Sequence, residues 1–183
     1  MASAGPDPTG GSAPVHSGDV RLRDVAEGDI HTFFGQQLDP EANRMATFTA
    51  GDPPDRTAFE TRWERLLGDP SVTKKAILLD GSITGHVVSF DNGGAQEVTY
   101  WLGREYWGGG ITTRALSAFL RVEETRPLYA RAAKDNTSSI RVLQKCGFVI
   151  SGEDRAFAYA RGTEVEEFVL ELGPEGPCGG EGA

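Results

Sequence analysis

The chain is poor in the side chains that build disulfide frameworks and metal centres. Its 183 residues include two cysteines, Cys146 and Cys178, in unlike settings, and three scattered histidines, His16, His31 and His86. A disulfide-stapled fold is excluded, and no spacing suits zinc, so no metal is expected. No run of about 18 apolar residues occurs, so no helix is expected to span a membrane. Positive charge is scarce too. Eighteen Lys and Arg stand against 27 Asp and Glu, a formal net charge of −9. Such a surface repels nucleic-acid phosphates, so no nucleic-acid partner is expected, and it suits a cationic acceptor such as an amine. The first residues lack the basic and apolar segments of a secretory signal, and the expected location is the cytoplasm.

What is present is a globular composition, with 38% hydrophobic residues and a length that suits one domain. Segments 1–18 and 173–183 are rich in Gly, Pro, Ser and Ala. They bury too little apolar surface to offset the entropy of ordering and are expected to be flexible tails, with the folded unit at 19–172. Val20 and Leu22 alternate with two arginines as in a strand. Residues 26–38 fit a short helix, 39–53 reads as loop, and Phe59, Trp63, Leu66 and Leu67 recur at helical spacing up to Gly68. Strands 75–79 and 83–90 flank Asp80-Gly81, a strong hairpin signal. A strand at 97–102 precedes three glycines, Gly108 to Gly110, and a helix with Ala115, Leu116, Phe119 and Leu120 on one face. A strand at 128–133, a helix at 137–146 stopped by Gly147, and strands at 148–151 and 164–172 complete a mixed α/β layer order.

The segment from Trp101 to Leu116 is strand, glycine turn, helix. Such a turn exposes backbone N–H groups at the positive end of a helix dipole, and glycine lets an anion reach them. It lacks the Lys of a nucleotide P-loop and the third glycine of a dinucleotide fingerprint. Further on stands Asn136-Thr137-Ser138-Ser139-Ile140-Arg141-Val142-Leu143-Gln144-Lys145-Cys146-Gly147-Phe148.

Together, Glu97-Val98-Thr99-Tyr100-Trp101-Leu102, Tyr106-Trp107-Gly108-Gly109-Gly110 and the Asn136–Phe148 run resemble the signature of the GNAT superfamily. The match is to the branch similar to ribosomal-protein N-acetyltransferases, over roughly residues 19–172. The resemblance implies a mostly antiparallel mixed sheet with a central parallel pair and helices on both faces. It implies acetyl-coenzyme A as cosubstrate. Backbone amides of about 107–112, within the run Trp107, Gly108, Gly109, Gly110, Ile111, Thr112 and Thr113, would hold its pyrophosphate. Strand 98–102, with Tyr100, Trp101 and Leu102, would pair with the pantetheine arm. Asn136 would bind the coenzyme near a gap between two splayed strands, and Ser139 would lie close to the thioester sulfur. Thr112 replaces a Gly or Ala usual in the turn, and its hydroxyl is a further phosphate donor. The family's tyrosine acid falls at Leu143, so that role is vacant or passes to Ser139.

The reaction needs a neutral amine. With an alkylamine pKa of ~10.4, deprotonation at pH 7 costs roughly 4–5 kcal/mol, so a base matters. A thiol leaving group needs little acid help. Glu97, at the start of the strand beside the coenzyme, is the candidate base, sharing a face with Thr99 and Trp101; the alternative is a solvated residue at a strand start. His86 is read as buried and satisfied, Cys146 as core, and Phe33, Phe59 and Trp63 as helix core rather than acceptor pocket. Loops 35–53 and 155–163 should border the acceptor site. The expected activity is acetyl transfer to a primary amine, a protein N-terminus or a small molecule. The alternative is a non-catalytic acyl-coenzyme A binding module with a regulatory role. A homodimer through an edge strand near the C-terminus is a further expectation.

Overall fold

The computed structural model describes residues 17–46 and 55–174. Most of both expected tails, residues 47–54 and Cys178 lie outside the described residues.

Seven strands form one sheet. They are β1 (Val20–Asp24), β2 (Thr73–Leu79), β3 (Ser82–Asp91), β4 (Gln96–Leu102), β5 (Leu128–Ala133), β6 (Val149–Ala158) and β7 (Thr163–Leu172), in spatial order β1-β2-β3-β4-β5-β7-β6. Every neighbouring pair is antiparallel except β4 and β5, which are parallel at the centre. The β2–β3 turn places Asp80 (φ 49) and Gly81 (φ 84) in the left-handed region, the geometry that an Asp-Gly hairpin supplies.

Helices α1 (Ile30–Gln37) and α3 (Arg56–Gly68) cover one face of the sheet, and α4 (Ile111–Phe119) and α5 (Thr137–Lys145) the other. The two-residue period of strands sorts the core accordingly. Val88 packs with Phe33 and Trp63 under α1 and α3, while Val87 packs with Leu116, Phe119 and Leu143 under α4 and α5. Cys146 is buried in this second core, as expected. Among the described residues, no helix is long and apolar enough to cross a membrane.

Two local expectations are corrected. Part of the expected loop 39–53 is a helix, α2 (Pro40–Ala46). Asp39 caps it by accepting from the Ala42 amide at 2.9 Å, and Pro40 occupies the first helical position, where a missing N–H costs nothing. The strand expected to end at Ser151 runs on to Ala158 as β6, so 155–158 is strand rather than loop.

Candidate active site

The two central strands separate almost as soon as they meet. Their only register pair is Glu97 with Tyr129. Beyond it β4 pairs with β3 alone, up to Leu102, while β5 pairs with β7. Beyond Glu97 no strand lies hydrogen-bonded along the edge of β4 that faces β5, and a gap opens in the sheet.

Below the gap lies the glycine turn. Gly108 (φ 79) and Gly110 (φ 71) adopt left-handed conformations, and Gly110 caps α4 with no side-chain bond. Both are exposed, and a Cβ placed on Gly110 meets nothing within 4 Å. Among the described residues, the amides of Gly108 to Thr113 have no acceptor; the first helical bond is Arg114 N–H to Gly110 O at 3.2 Å. The free run begins one residue later than expected, because the Trp107 amide donates to Arg104 O at 3.1 Å. Its indole Nε1 donates to Leu102 O at 3.0 Å, which ties the turn to the end of β4. Thr112, whose hydroxyl was expected as a further donor, is buried. An uncapped run of donors at a helix start, opened by two exposed glycines, suits a diphosphate.

Across the gap, Ser139 and Asn136 open α5, and both are completely buried. Asn136 Oδ1 accepts from the Ser139 amide at 3.1 Å, an N-cap, and its Nδ2 donates to Met45 O at 3.0 Å. The side chain thus ties α5 to α2. Ser139 Oγ lies 2.8 Å from the Tyr100 hydroxyl, which reaches over from β4. Burial pushes the Tyr100 phenol well above its ordinary value, so it stays neutral.

Above the gap is a cavity of about 490 Å³, within the range of small-molecule sites. Phe59, Trp63, Phe90 and Trp101 give it apolar walls. Phe59 and Trp63 are therefore both helix core and cavity wall, which the sequence reading had held apart. Tyr100 also lines the cavity although its ring belongs to the α4–α5 core, so the space reaches the gap.

Glu97 lines the cavity from β4 and is 5% exposed, so it is not a solvated residue at a strand start. Its Oε2 accepts from Asn92 Nδ2 at 2.7 Å and lies 3.6 Å from Arg131 Nε, which leaves Oε1 without a partner among the described residues. Two charged side chains that line the cavity were missed by the sequence reading. Arg131 of β5 holds Glu167 of β7 at 2.7 Å and Asp154 of β6 at 2.8 Å. Glu167 is 2% exposed; burial raises its carboxyl above the usual range against the pull of Arg131. No motif marks either residue. The signal was alternation: Arg131 stands on the face opposite Leu128, Ala130 and Ala132, and Glu167 on the face opposite Phe168 and Leu170.

His86 is buried between Phe33 and Trp63, with ring centroids at 4.7 and 4.9 Å. Desolvation, aided by the Arg62 charge, drops its pKa to about 3. It is not satisfied as expected: Nδ1 has no hydrogen-bond partner, and neither has Nε1 of Trp101, its direct cross-strand neighbour.

A mixed sheet that parts at its one parallel pair, between a free-amide turn and a carboxylate-bearing cavity, is the framework of an acyltransferase. The family described as acetyltransferase (GNAT) domain matches residues 19–149, and the chain belongs to that family. It is similar to the Bacillus subtilis (strain 168) protein named Putative ribosomal N-acetyltransferase YdaF, 31% identical over 109 residues. That alignment spans 55% of this chain and 58% of the relative, so it covers little more than half of either. Among solved structures, RimL, a ribosomal alpha-N-protein acetyltransferase in complex with coenzyme A, superposes with a TM-score of 0.71 at 15% identity, over 88% of this chain and 98% of that one. Mycobacterium smegmatis RimJ, in complex with CoA-disulfide, gives 0.69 at 22% identity over 86% and 83%. These likenesses establish the shared fold.

Proposed function

We propose that this chain transfers the acetyl group of acetyl-coenzyme A to a primary amine by direct attack on the thioester. The observation that carries this is the position of the gap: it joins the free amides of 108–113 on one side to the cavity holding Glu97 on the other. The pyrophosphate sits on the turn and the pantetheine arm runs along the edge of β4 that β5 leaves open, bonding to its backbone as a missing strand would. That course brings the thioester to Tyr100 and Ser139. Ser139 Oγ donates to the sulfur as the C–S bond breaks. Asn136 acts as a positioning residue, since its own polar atoms are engaged in holding α5 and α2. In the cavity, the acceptor ammonium loses a proton to the free oxygen of Glu97. The neutral nitrogen adds to the thioester carbonyl, the C–S bond breaks with coenzyme A leaving as thiolate, and the second amine proton passes to that thiolate or to water, which leaves the neutral amide.

The test is thiol release from acetyl-coenzyme A with a panel of amines, beside calorimetric titration of coenzyme A. Expected are turnover with at least one amine and a loss of about 100-fold or more in kcat for Glu97→Gln, with coenzyme A affinity retained. A protein that binds coenzyme A but releases thiol with no amine would be the silent binding module instead.

A further inference from the structure

The cavity has a chemical polarity of its own. At one end, Glu97 and Glu167 share a single cation, Arg131, which Asp154 also engages. Each buried carboxylate offers one oxygen with no partner among the described residues, Oε1 of Glu97 and Oε2 of Glu167. A primary ammonium, with its three N–H donors, suits two such acceptors. The carboxylates outnumber the cation, so this end carries negative charge until a cation arrives. Burial and the charges of Asp154 and Glu97 already raise the Glu167 carboxyl, which marks it as short of positive neighbours.

The walls are different. They are mostly aromatic, built from Phe59, Trp63, Phe90 and Trp101, with Asp55 and Arg62 also among the lining residues. A ring laid against such a wall is favoured, because its apolar surface leaves water.

We infer that the acceptor is a ring-bearing primary amine, its ammonium seated between Glu97 and Glu167. This rests on the amine-acetylating reading above and narrows it to a substrate class. An α-amino acid fits poorly, because its carboxylate would sit beside two others. A polyamine fits poorly, because its second ammonium would be stripped of water against the aromatic wall.

The experiment uses the full chain with acetyl-coenzyme A and four probes: tyramine, phenylalaninamide, phenylalanine and spermidine. Expected is a kcat/KM at least about tenfold higher for the first two than for the last two. Glu167→Gln should raise KM for tyramine by about tenfold or more while coenzyme A affinity is unchanged, which also shows that the variant is folded. Binding is read separately through quenching of tryptophan fluorescence, since Trp63 and Trp101 line the cavity. Equal or better use of phenylalanine or spermidine overturns the proposal, as does an unaltered tyramine KM in a folded Glu167→Gln. If other amines are acetylated and tyramine is not, the acetyltransferase reading stands and this one falls. If no amine releases thiol, tyramine quenching that weakens in Glu167→Gln still upholds the seat, and absence of quenching overturns it.

Discussion

The hydroxyl of Tyr100 lies 2.8 Å from Oγ of Ser139, one residue from a strand and the other from a helix on the far side of the sheet gap. The pair supplies a phenol beside the proposed thioester position even though the tyrosine that GNAT enzymes carry in this helix is Leu143 here. With Tyr100 donating to Ser139 Oγ, the serine proton is free to point at sulfur. Tyr100→Phe is expected to lower kcat about tenfold with coenzyme A affinity unchanged, since one hydrogen bond is lost. The loss should be the same from pH 6 to 9, because the buried phenol does not ionise there. Adding Ser139→Ala should cost little more than Ser139→Ala alone. Steady-state kinetics of the double-mutant cycle check this.

Asn136 joins two helices through one amide group. Asn136→Ala removes a cap and leaves Met45 O without that donor. A destabilisation of about 1–3 kcal/mol is expected. Urea unfolding measures it, and titration of coenzyme A on the same variant separates the effect from a direct contact.

Gly85 and Gly110 should respond very unequally to alanine. A Cβ on Gly85 would stand 2.0 Å from the Trp101 carbonyl, so β3 and β4 cannot keep their pairing. Gly85→Ala is expected to cost about 3 kcal/mol or more, or to prevent folding. Gly110→Ala meets open space and pays only for its left-handed φ, about 1–2 kcal/mol. Thermal melts of the two variants should therefore differ clearly, and Gly110→Ala remains usable for coenzyme A titration.

His86 makes stability depend on acid. Its pKa falls from an ordinary 6.5 to about 3 in the folded chain, so the unfolded state binds more protons in that interval. Stability from this source is complete above about pH 6.5 and declines as pH falls toward 3, by up to about 1.4 kcal/mol per unit. Between pH 7 and 5 the loss amounts to about 2 kcal/mol. Replacing His86 by Phe should flatten that part of the profile, as read by urea midpoints at the two pH values.

The order of strands and helices along the chain and the glycine turn were legible because their signals are local, whereas the mixed sheet with its parallel pair came from the family resemblance. Asp80-Gly81, the β-forming run to Leu102, and Gly108 to Gly110 before an apolar helical face each name a backbone geometry. Helix α2 was equally local, but Pro40 was taken as a loop marker when Asp39-Pro40-Glu41 is also a helix start. The acceptor side was harder. Glu97, Arg131 and Glu167 come from three strands, and only the sheet brings them together. Alternation shows which face each residue occupies but not which residues meet. The run 107–112 was off by one residue because a short turn at Arg104–Tyr106 uses the Trp107 amide, a hydrogen bond that composition does not disclose.

The parting of β4 from β5 at Glu97 also has a kinetic consequence for the proposed reaction. There, donor and acceptor would enter from opposite faces and meet inside the sheet, so neither need depart before the other arrives. Initial rates measured at several concentrations of each should give intersecting reciprocal lines, the mark of a ternary complex, and no acetylated form of the protein should accumulate.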